Sequence, residues 1–164
     1  MRTKFAAYLL AAVSVPLLCS CAAIINFGSS DLERLNDATP AGTPFQQAQF
    51  KDYSYLARSF GEAPSGDTDT LANAYAAKAL AAADGDDVLP EEPAGSDESA
   101  MHSRLARALR ADRAKAPDDA ARAQADYDCW IMNERTAGQA PSARQCRSSL
   151  EDTLAQLEGD LGIY

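Results

Sequence analysis

Apolar residues recur at helical spacing in several segments of the chain, and proline and glycine separate these segments. No segment shows the alternation of apolar and polar residues that is typical of a half-buried strand. Alanine is the commonest residue, and Val88 is the only valine after the first apolar run. Because alanine favours helices and β-branched residues favour strands, the pattern predicts an all-α fold, a small bundle of about four to five helices.

Capping residues and helix breakers set the predicted boundaries. Ser30 is placed to cap a short helix, Thr43 followed by Pro44 begins the next one, and Gly85 ends the helix after that. Proline and glycine also predict an extended connector over Val88–Ser96. The first predicted helix is Asp31–Asp37. The next begins at Pro44 and ends at a loop, Pro64–Asp67, and the one after it runs from that loop to Gly85. The later helices are Asp97 to about Lys115, Pro117 to about Arg135 and, after a loop at Thr136–Pro141, about Ser142–Leu161.

The helix that starts at Pro117 differs from the others because it is apolar on two nearly opposite sides. Such a helix is buried between neighbours, so we expect it at the centre of the bundle. Its two sides are Ala120, Ala123, Tyr127, Trp130 and Ile131, and Ala121, Ala125, Cys129 and Met132. The helix after Pro44 has one largely aromatic side, which is expected to face the core, the alternative being a ligand platform. This side consists of Phe45, Phe50, Tyr53, Leu56, Ala57 and Phe60.

The first apolar run, Phe5–Leu18, follows two basic residues, Arg2 and Lys4. This is the layout of a secretory signal, and the run is shorter than the ~20 apolar residues that a membrane-spanning helix needs. Residues 1–20 are therefore predicted to be a signal peptide. An uncleaved membrane anchor is the alternative, because apolar residues continue as far as Ile25.

The run ends in Leu18-Cys19-Ser20-Cys21, which resembles the lipobox of bacterial lipoproteins. A small residue precedes Cys21 and a leucine lies three positions before it, so Cys21 is predicted to carry the lipid and Cys19 to leave with the signal peptide. An ordinary signal peptide is the alternative. Residues 21–30 would form the lipidated N-terminus and a tether, and residues 31–164 the helical domain. Each buried CH₂ of the lipid contributes about 0.8 kcal/mol, so several acyl chains make a strong anchor.

Removal of residues 1–20 would leave 144 of the 164 residues and change the formal net charge from −9 to −11, because the leader holds Arg2 and Lys4. An acidic chain repels phosphates, so nucleic acid is not expected as a partner.

Ala22 rather than Asp follows Cys21. By the sorting rule of enteric bacteria, this residue predicts that the lipoprotein is anchored in the outer membrane, at its periplasmic face. The expected partners are the membrane, through the lipid, and envelope proteins.

Two cysteines remain in the helical part, Cys129 and Cys146. An even pair in an oxidising compartment predicts one disulfide. The two residues are equidistant from the middle of the loop at Thr136–Pro141, so they should lie level in an antiparallel helical hairpin, close enough to bond. Closing a loop of this size contributes about 3 kcal/mol to stability. The alternative is two buried free thiols.

The residues present no evident catalytic or metal centre. His102 is the only histidine, so metal sites of the His/Cys type and histidine-based triads lack their other members. The five acidic residues of Asp84–Glu92 suggest calcium, but their spacing does not match an EF-hand, and a helix cap at Gly85 within a solvated loop explains them better. No catalytic residue, metal ligand or cofactor is predicted, and enzymatic activity is not expected.

Four arginines recur at every third position of the helix that starts near Asp97. They make a basic series on an acidic protein, with the charge to bind lipid phosphates or an acidic partner. A spacing of three drifts around the helix, so the four do not align, and pairing with the protein's own acidic residues is the favoured alternative. The series is Arg104, Arg107, Arg110 and Arg113.

Several blocks of the chain resemble the N-terminal helical region of OmpA-like lipoproteins from alphaproteobacteria. The resemblance implies an envelope lipoprotein. In that family an OmpA-like α/β domain follows and binds peptidoglycan; the present sequence ends at Tyr164 without it, so the resemblance does not extend to peptidoglycan binding. The blocks are "DLERLNDATPAGTPFQQAQFKDYSYLA" from Asp31, "AAKALAAADGDDVLPEEPA" from Ala76, "RLARAL" from Arg104, "APDDAARAQADYDCWIMNE" from Ala116 and "CRSSLEDTLAQL" from Cys146.

The sequence therefore predicts an outer-membrane-anchored periplasmic lipoprotein that acts as a structural or interaction module of the cell envelope. A second hypothesis comes from a different functional class: a small-molecule-binding protein or enzyme with a cleft near Tyr127 and Trp130. A ligand that copurifies with the protein would favour this second hypothesis.

Overall fold

A computed structural model describes residues 30–62 and 66–161, and it confirms the predicted all-α class. The predicted signal peptide and Cys21 lie outside these residues, as do Pro64 and Ser65 of the predicted loop. Within the described residues the chain forms six helices and no strands. The helices are α1 (Asp31–Arg34), α2 (Pro44–Gly61), α3 (Gly66–Ala83), α4 (Ser96–Asp112), α5 (Pro117–Glu134) and α6 (Ala140–Leu161).

The predicted capping signals are present at the ends of the first three helices. Ser30 and Glu33 form a capping box, in which the Ser30 hydroxyl accepts from the Glu33 N–H and the Glu33 carboxylate accepts from the Ser30 N–H. Thr43 and Gln46 form a second one immediately before Pro44. Gly85 has φ +85° and ends α3 in a Schellman arrangement, in which its N–H and that of Asp86 donate to carbonyls of the last turn.

Two predicted helices are longer than the observed ones. α4 ends at Asp112 rather than near Lys115, and Pro117 supplies the reason. The residue before a proline is sterically excluded from the helical region, and Ala116 accordingly has φ −128° and ψ 65°. The chain therefore leaves the helix before it reaches Ala116. α1 also stops at Arg34, so the predicted segment up to Asp37 was partly wrong.

Two helices begin earlier than predicted. α3 begins at Gly66, so the predicted loop at Pro64–Asp67 was wrong for its last two residues. Acidic residues in the first turn of α3, Asp67 and Asp69, interact favourably with the positive end of its dipole. α6 begins at Ala140, so Pro141 lies in its first turn, where the missing N–H of proline breaks no helical hydrogen bond.

α5 is the central helix, as its two apolar sides predict. It packs against α2, α4 and α6, and twelve of its 18 residues are buried. One side meets α4 and α6 in a core of Leu105, Ala108, Ala123, Tyr127, Trp130, Ile131, Ala143, Leu150, Leu154 and Leu157. The other side meets α1, α2 and α3, whose core residues include Leu35, Tyr53, Ala57, Leu71, Tyr75, Ala76 and Ala79. The aromatic side of α2 thus faces the core, as predicted.

Among the described residues, no helix combines the length and the apolar character that a membrane span requires.

Candidate functional site

The predicted cysteine pair is bonded. Cys129 lies near the end of α5 and Cys146 near the start of α6, and their Cα atoms are 5.7 Å apart. α5 and α6 form the antiparallel hairpin that the equal spacing from the turn predicts. The disulfide therefore ties the central helix to the last helix close to the turn that joins them.

The four arginines of α4 have different environments. Arg104 makes two hydrogen bonds of 2.7 Å to the carboxylate of Glu158 on α6. Arg113 lies 3.7 Å from a carboxylate oxygen of Asp87, and its guanidinium lies 6.0 Å from the ring centroid of Phe45. Arg107 and Arg110 are exposed, and among the described side chains neither has an ion pair within 4.0 Å. The structure thus divides the series into two arginines that lie beside acidic side chains of the protein, Arg104 closely and Arg113 loosely, and two that do not.

Tyr127 and Trp130 lie in the core, with exposed fractions of 0% and 4%. Their rings meet edge to face at 6.0 Å, and the Arg147 guanidinium covers Trp130 at 4.9 Å. The predicted lone histidine, His102, packs its ring 5.6 Å from Tyr127. Because neither aromatic ring faces open space, the two form a packing contact, and the cleft of the second hypothesis is not open at this place. No group of described His, Cys, Asp or Glu side chains is arranged to hold a metal ion.

A buried polar network lies where α2, α3 and α5 meet the connector, and sequence reasoning missed it. Its centre is the carboxylate of Asp128, which is 0% exposed. The Tyr53 hydroxyl donates to it at 2.6 Å, the Glu91 N–H at 2.7 Å, and the Lys78 ammonium lies 3.0 Å away. Burial raises the pKa of Asp128, and the nearby Lys78 ammonium and the two hydrogen bonds oppose that rise.

The same network fixes the connector between α3 and α4. Gln124 donates at 2.7 Å to the Val88 carbonyl, and Lys78 donates at 3.2 Å to the Leu89 carbonyl. These contacts give polar backbone groups of an extended segment the partners that a helix or sheet would otherwise supply. Burial and Asp128 raise the pKa of Tyr53 well above its ordinary value, so its hydroxyl remains a donor. The network therefore ties the connector to α2, α3 and α5.

An open trough runs over α5 between α2 and α6. Both outer helices pack on α5, and they make no comparable contact with each other within the described residues. The trough consists of three connected grooves with volumes of about 460, 730 and 260 Å³. The first lies beside the disulfide and shares Tyr55 and Ser59 with the second, which shares Lys51, Asp52 and Arg122 with the third.

Asp126 lies beneath this surface, with 8% of its area exposed. The Ser149 hydroxyl of α6 donates to its carboxylate at 2.7 Å. Burial raises the pKa of Asp126 to about 6, against the opposing effects of the Ser149 hydrogen bond and of Arg122, while Asp52 adds to the rise. Burial also raises the pKa of Asp52, which Arg122 approaches to 3.8 Å. Two carboxyl groups under the trough are therefore easier to protonate than exposed ones.

The raised pKa of Asp126 predicts that its ionisation destabilises the fold. The stabilising contribution of the protonated form is complete below the unfolded pKa of 3.8 and is lost as the pH rises through the folded value of about 6. Asp126→Asn is therefore expected to raise the free energy of unfolding by about 2 kcal/mol at pH 7.5 and by roughly a third of that gain at pH 4.5, where the unfolded carboxyl group is already mostly ionised. Urea unfolding at the two pH values measures both. Glu134→Gln, an exposed change on the same helix, is the control. A gain that is equal at both pH values would contradict the prediction.

The residues that sequence reasoning missed carry recognisable signals. Asp128 lies within a helix that is apolar on two sides, so a carboxylate there needs buried partners. Tyr55 falls two residues after Tyr53 and hence on the opposite side of α2 from the core. A large aromatic residue facing water was therefore predictable, although the groove beside it was not.

Comparison with family models, with curated proteins and with solved structures found no match for this chain.

Proposed function

We propose that the protein is a lipoprotein of the outer membrane, anchored at its periplasmic face through Cys21, and that it acts as a structural or interaction module of the cell envelope. The Cys129–Cys146 disulfide is the observation that carries the proposal, because structural disulfides persist in oxidising compartments such as the periplasm. The lipobox-like end of the first apolar run and the resemblance to OmpA-like lipoproteins support the same location.

The position of the first described residues indicates where such an anchor would join the bundle. Leu32 packs against Gly61 at the end of α2, where an added Cβ would lie 2.6 Å from its Cδ2 atom. The ten residues Cys21–Ser30 reach at most about 35 Å when extended. The lipid would therefore keep the bundle close to the membrane.

The surface of α4 supports a role in interaction. Arg104 is already bound to Glu158, so Arg107 and Arg110 are the members of the series with charge to offer a partner. The proposed partners are envelope proteins that present acidic side chains to these two exposed arginines. Nucleic acid is not proposed, because the large negative net charge of the whole chain repels it. Arg107 and Arg110 lie in the half of α4 that ends at Asp112.

Membrane attachment is tested by single substitutions of the two leader cysteines. In cells labelled with radioactive palmitate, the wild-type protein and Cys19→Ser are expected to incorporate label and to sediment with outer membranes. Cys21→Ser is expected to lose the label completely and to accumulate as unprocessed precursor, because the acyl chains are the anchor. Label that depends on Cys19, or an unlabelled soluble wild type, would overturn the proposal.

A further inference from the structure

The groove beside the disulfide differs from the rest of the surface in its lining. Charged residues make up 24% of the chain, yet none lines this groove. Its lining combines apolar side chains, Leu56 and Phe60, with the neutral hydrogen-bonding side chains of Ser142 and Gln145. A ligand that suits this lining is uncharged, has an apolar face and carries several hydroxyl groups.

Tyr55 stands at the edge of the groove with 69% of its area exposed. Only one other large apolar side chain in the described residues is comparably exposed, Leu89 at 73%, and it lies on the connector. An exposed aromatic face carries a partial negative potential, which attracts the C–H groups on one face of a sugar ring. Amide and hydroxyl side chains beside it then bind the ring hydroxyls, as Gln145 and Ser142 are placed to do.

We propose that the groove is a binding site for a neutral saccharide, with Tyr55 as the stacking platform. The ligand is a linear oligosaccharide, because the groove is open at the side where it joins the next one and the trough continues along α2. The residues Ser142 to Gln156, which line the two ends of the trough on α6, span about 20 Å of helix. The trough is thus long enough for several sugar rings in a row.

An acyl chain is the competing occupant, and the lining argues against it. A lipid tail would leave the Gln145 amide group and the amide NH₂ of Gln139 without hydrogen-bond partners where it covered them, which is unfavourable for each group so buried. A charged peptide would find charged side chains only in the two adjoining grooves, among them Lys51 and Arg122, and none in this one. The saccharide proposal goes beyond the lipid anchor and does not rest on it. The groove lies on the helical bundle, so binding to it can be measured on purified protein whether or not Cys21 carries a lipid.

The test is saturation-transfer difference NMR on the purified full-length protein with maltotetraose, cellotetraose and chitotetraose as probes. At least one of the three is expected to bind. Tyr55→Ala is expected to weaken that binding at least tenfold, whereas Tyr55→Phe keeps the aromatic face and is expected to stay within twofold. Gln145→Ala is expected to weaken binding several-fold. Leu89→Ala, which removes the other exposed apolar side chain, is the matched control and should bind like wild type.

Three results would overturn the proposal. The first is failure of all three probes to bind at millimolar concentration, and the second is binding that Tyr55→Ala leaves unchanged. The third is binding of dihexanoyl phosphatidylcholine in place of the saccharides at the same groove. Because Tyr55 is exposed, Tyr55→Ala should retain the wild-type melting temperature, so weaker binding would not reflect unfolding. None of these results depends on whether Cys21 carries a lipid.

Discussion

Removal of the Cys129–Cys146 disulfide is expected to lower the free energy of unfolding by about 3 kcal/mol. The bond closes a loop with a sequence separation of 17, so the unfolded chain regains considerable freedom when it is broken. This is a large share of the 5–15 kcal/mol that stabilises a typical domain. The melting temperature is expected to fall by roughly 10 °C, as measured by circular dichroism.

Reduction separates the effect of the cross-link from that of packing. Cys146 is only partly buried, so Cys146→Ala removes the bond with little loss of core contacts. A thiol reductant should bring the melting temperature of the wild type close to that of Cys146→Ala and should leave the variant unchanged. An identical melting temperature for oxidised and reduced wild type would contradict the prediction. Two free thiols in protein isolated from cells would count against an oxidising compartment and hence against the proposed location.

Most of the architecture could be predicted because it rests on local chemistry. The capping pairs at Ser30 and Thr43 and the left-handed glycine at Gly85 determine helix ends through contacts within a few residues. The two-sided apolar pattern of α5 indicates its central position, and equal distances from one turn bring Cys129 and Cys146 together. Within the described residues the errors lay at helix ends. Pro117 makes α4 end early, because the residue before a proline leaves the helical region. Pro141 instead lies inside the first turn of α6, where a helix tolerates proline.

The candidate sites were less predictable because they depend on contacts between distant segments. Asp128 meets Lys78 and Tyr53 only after α2, α3 and α5 have packed, and spacing along the chain does not encode that meeting. The arginine series looked uniform in sequence, yet Arg104 alone lies opposite Glu158. The trough exists because α2 and α6 share α5 as a neighbour without packing on each other, which is a property of the assembled bundle.

Asp128→Ala is expected to lower the free energy of unfolding by about 3–5 kcal/mol, the range for breaking a buried ion pair by removal of one partner. The substitution would leave the Tyr53 hydroxyl and the Glu91 N–H without their acceptor. It would also remove the buried one of the two carboxylates beside the Lys78 ammonium, at 3.0 Å, and leave only that of Glu91 at 2.9 Å. Urea unfolding measures the loss. Asp152→Ala, which removes an exposed carboxylate of α6, is the control and should stay within about 0.5 kcal/mol of wild type.

A double-mutant cycle distinguishes loss of the ion pair from general damage to the core. Lys78→Met keeps an apolar side chain of similar length and removes the charge, so alone it leaves Asp128 buried without its cation. Because uncompensated charge is the main cost, Asp128→Asn combined with Lys78→Met is expected to be less destabilising than the sum of the two single changes, by about 1–3 kcal/mol. Hydrogen exchange at the Glu91 amide should quicken in Asp128→Ala, since that amide donates to the carboxylate. Additive effects together with unchanged exchange at Glu91 would show that Asp128 does not hold the connector in place.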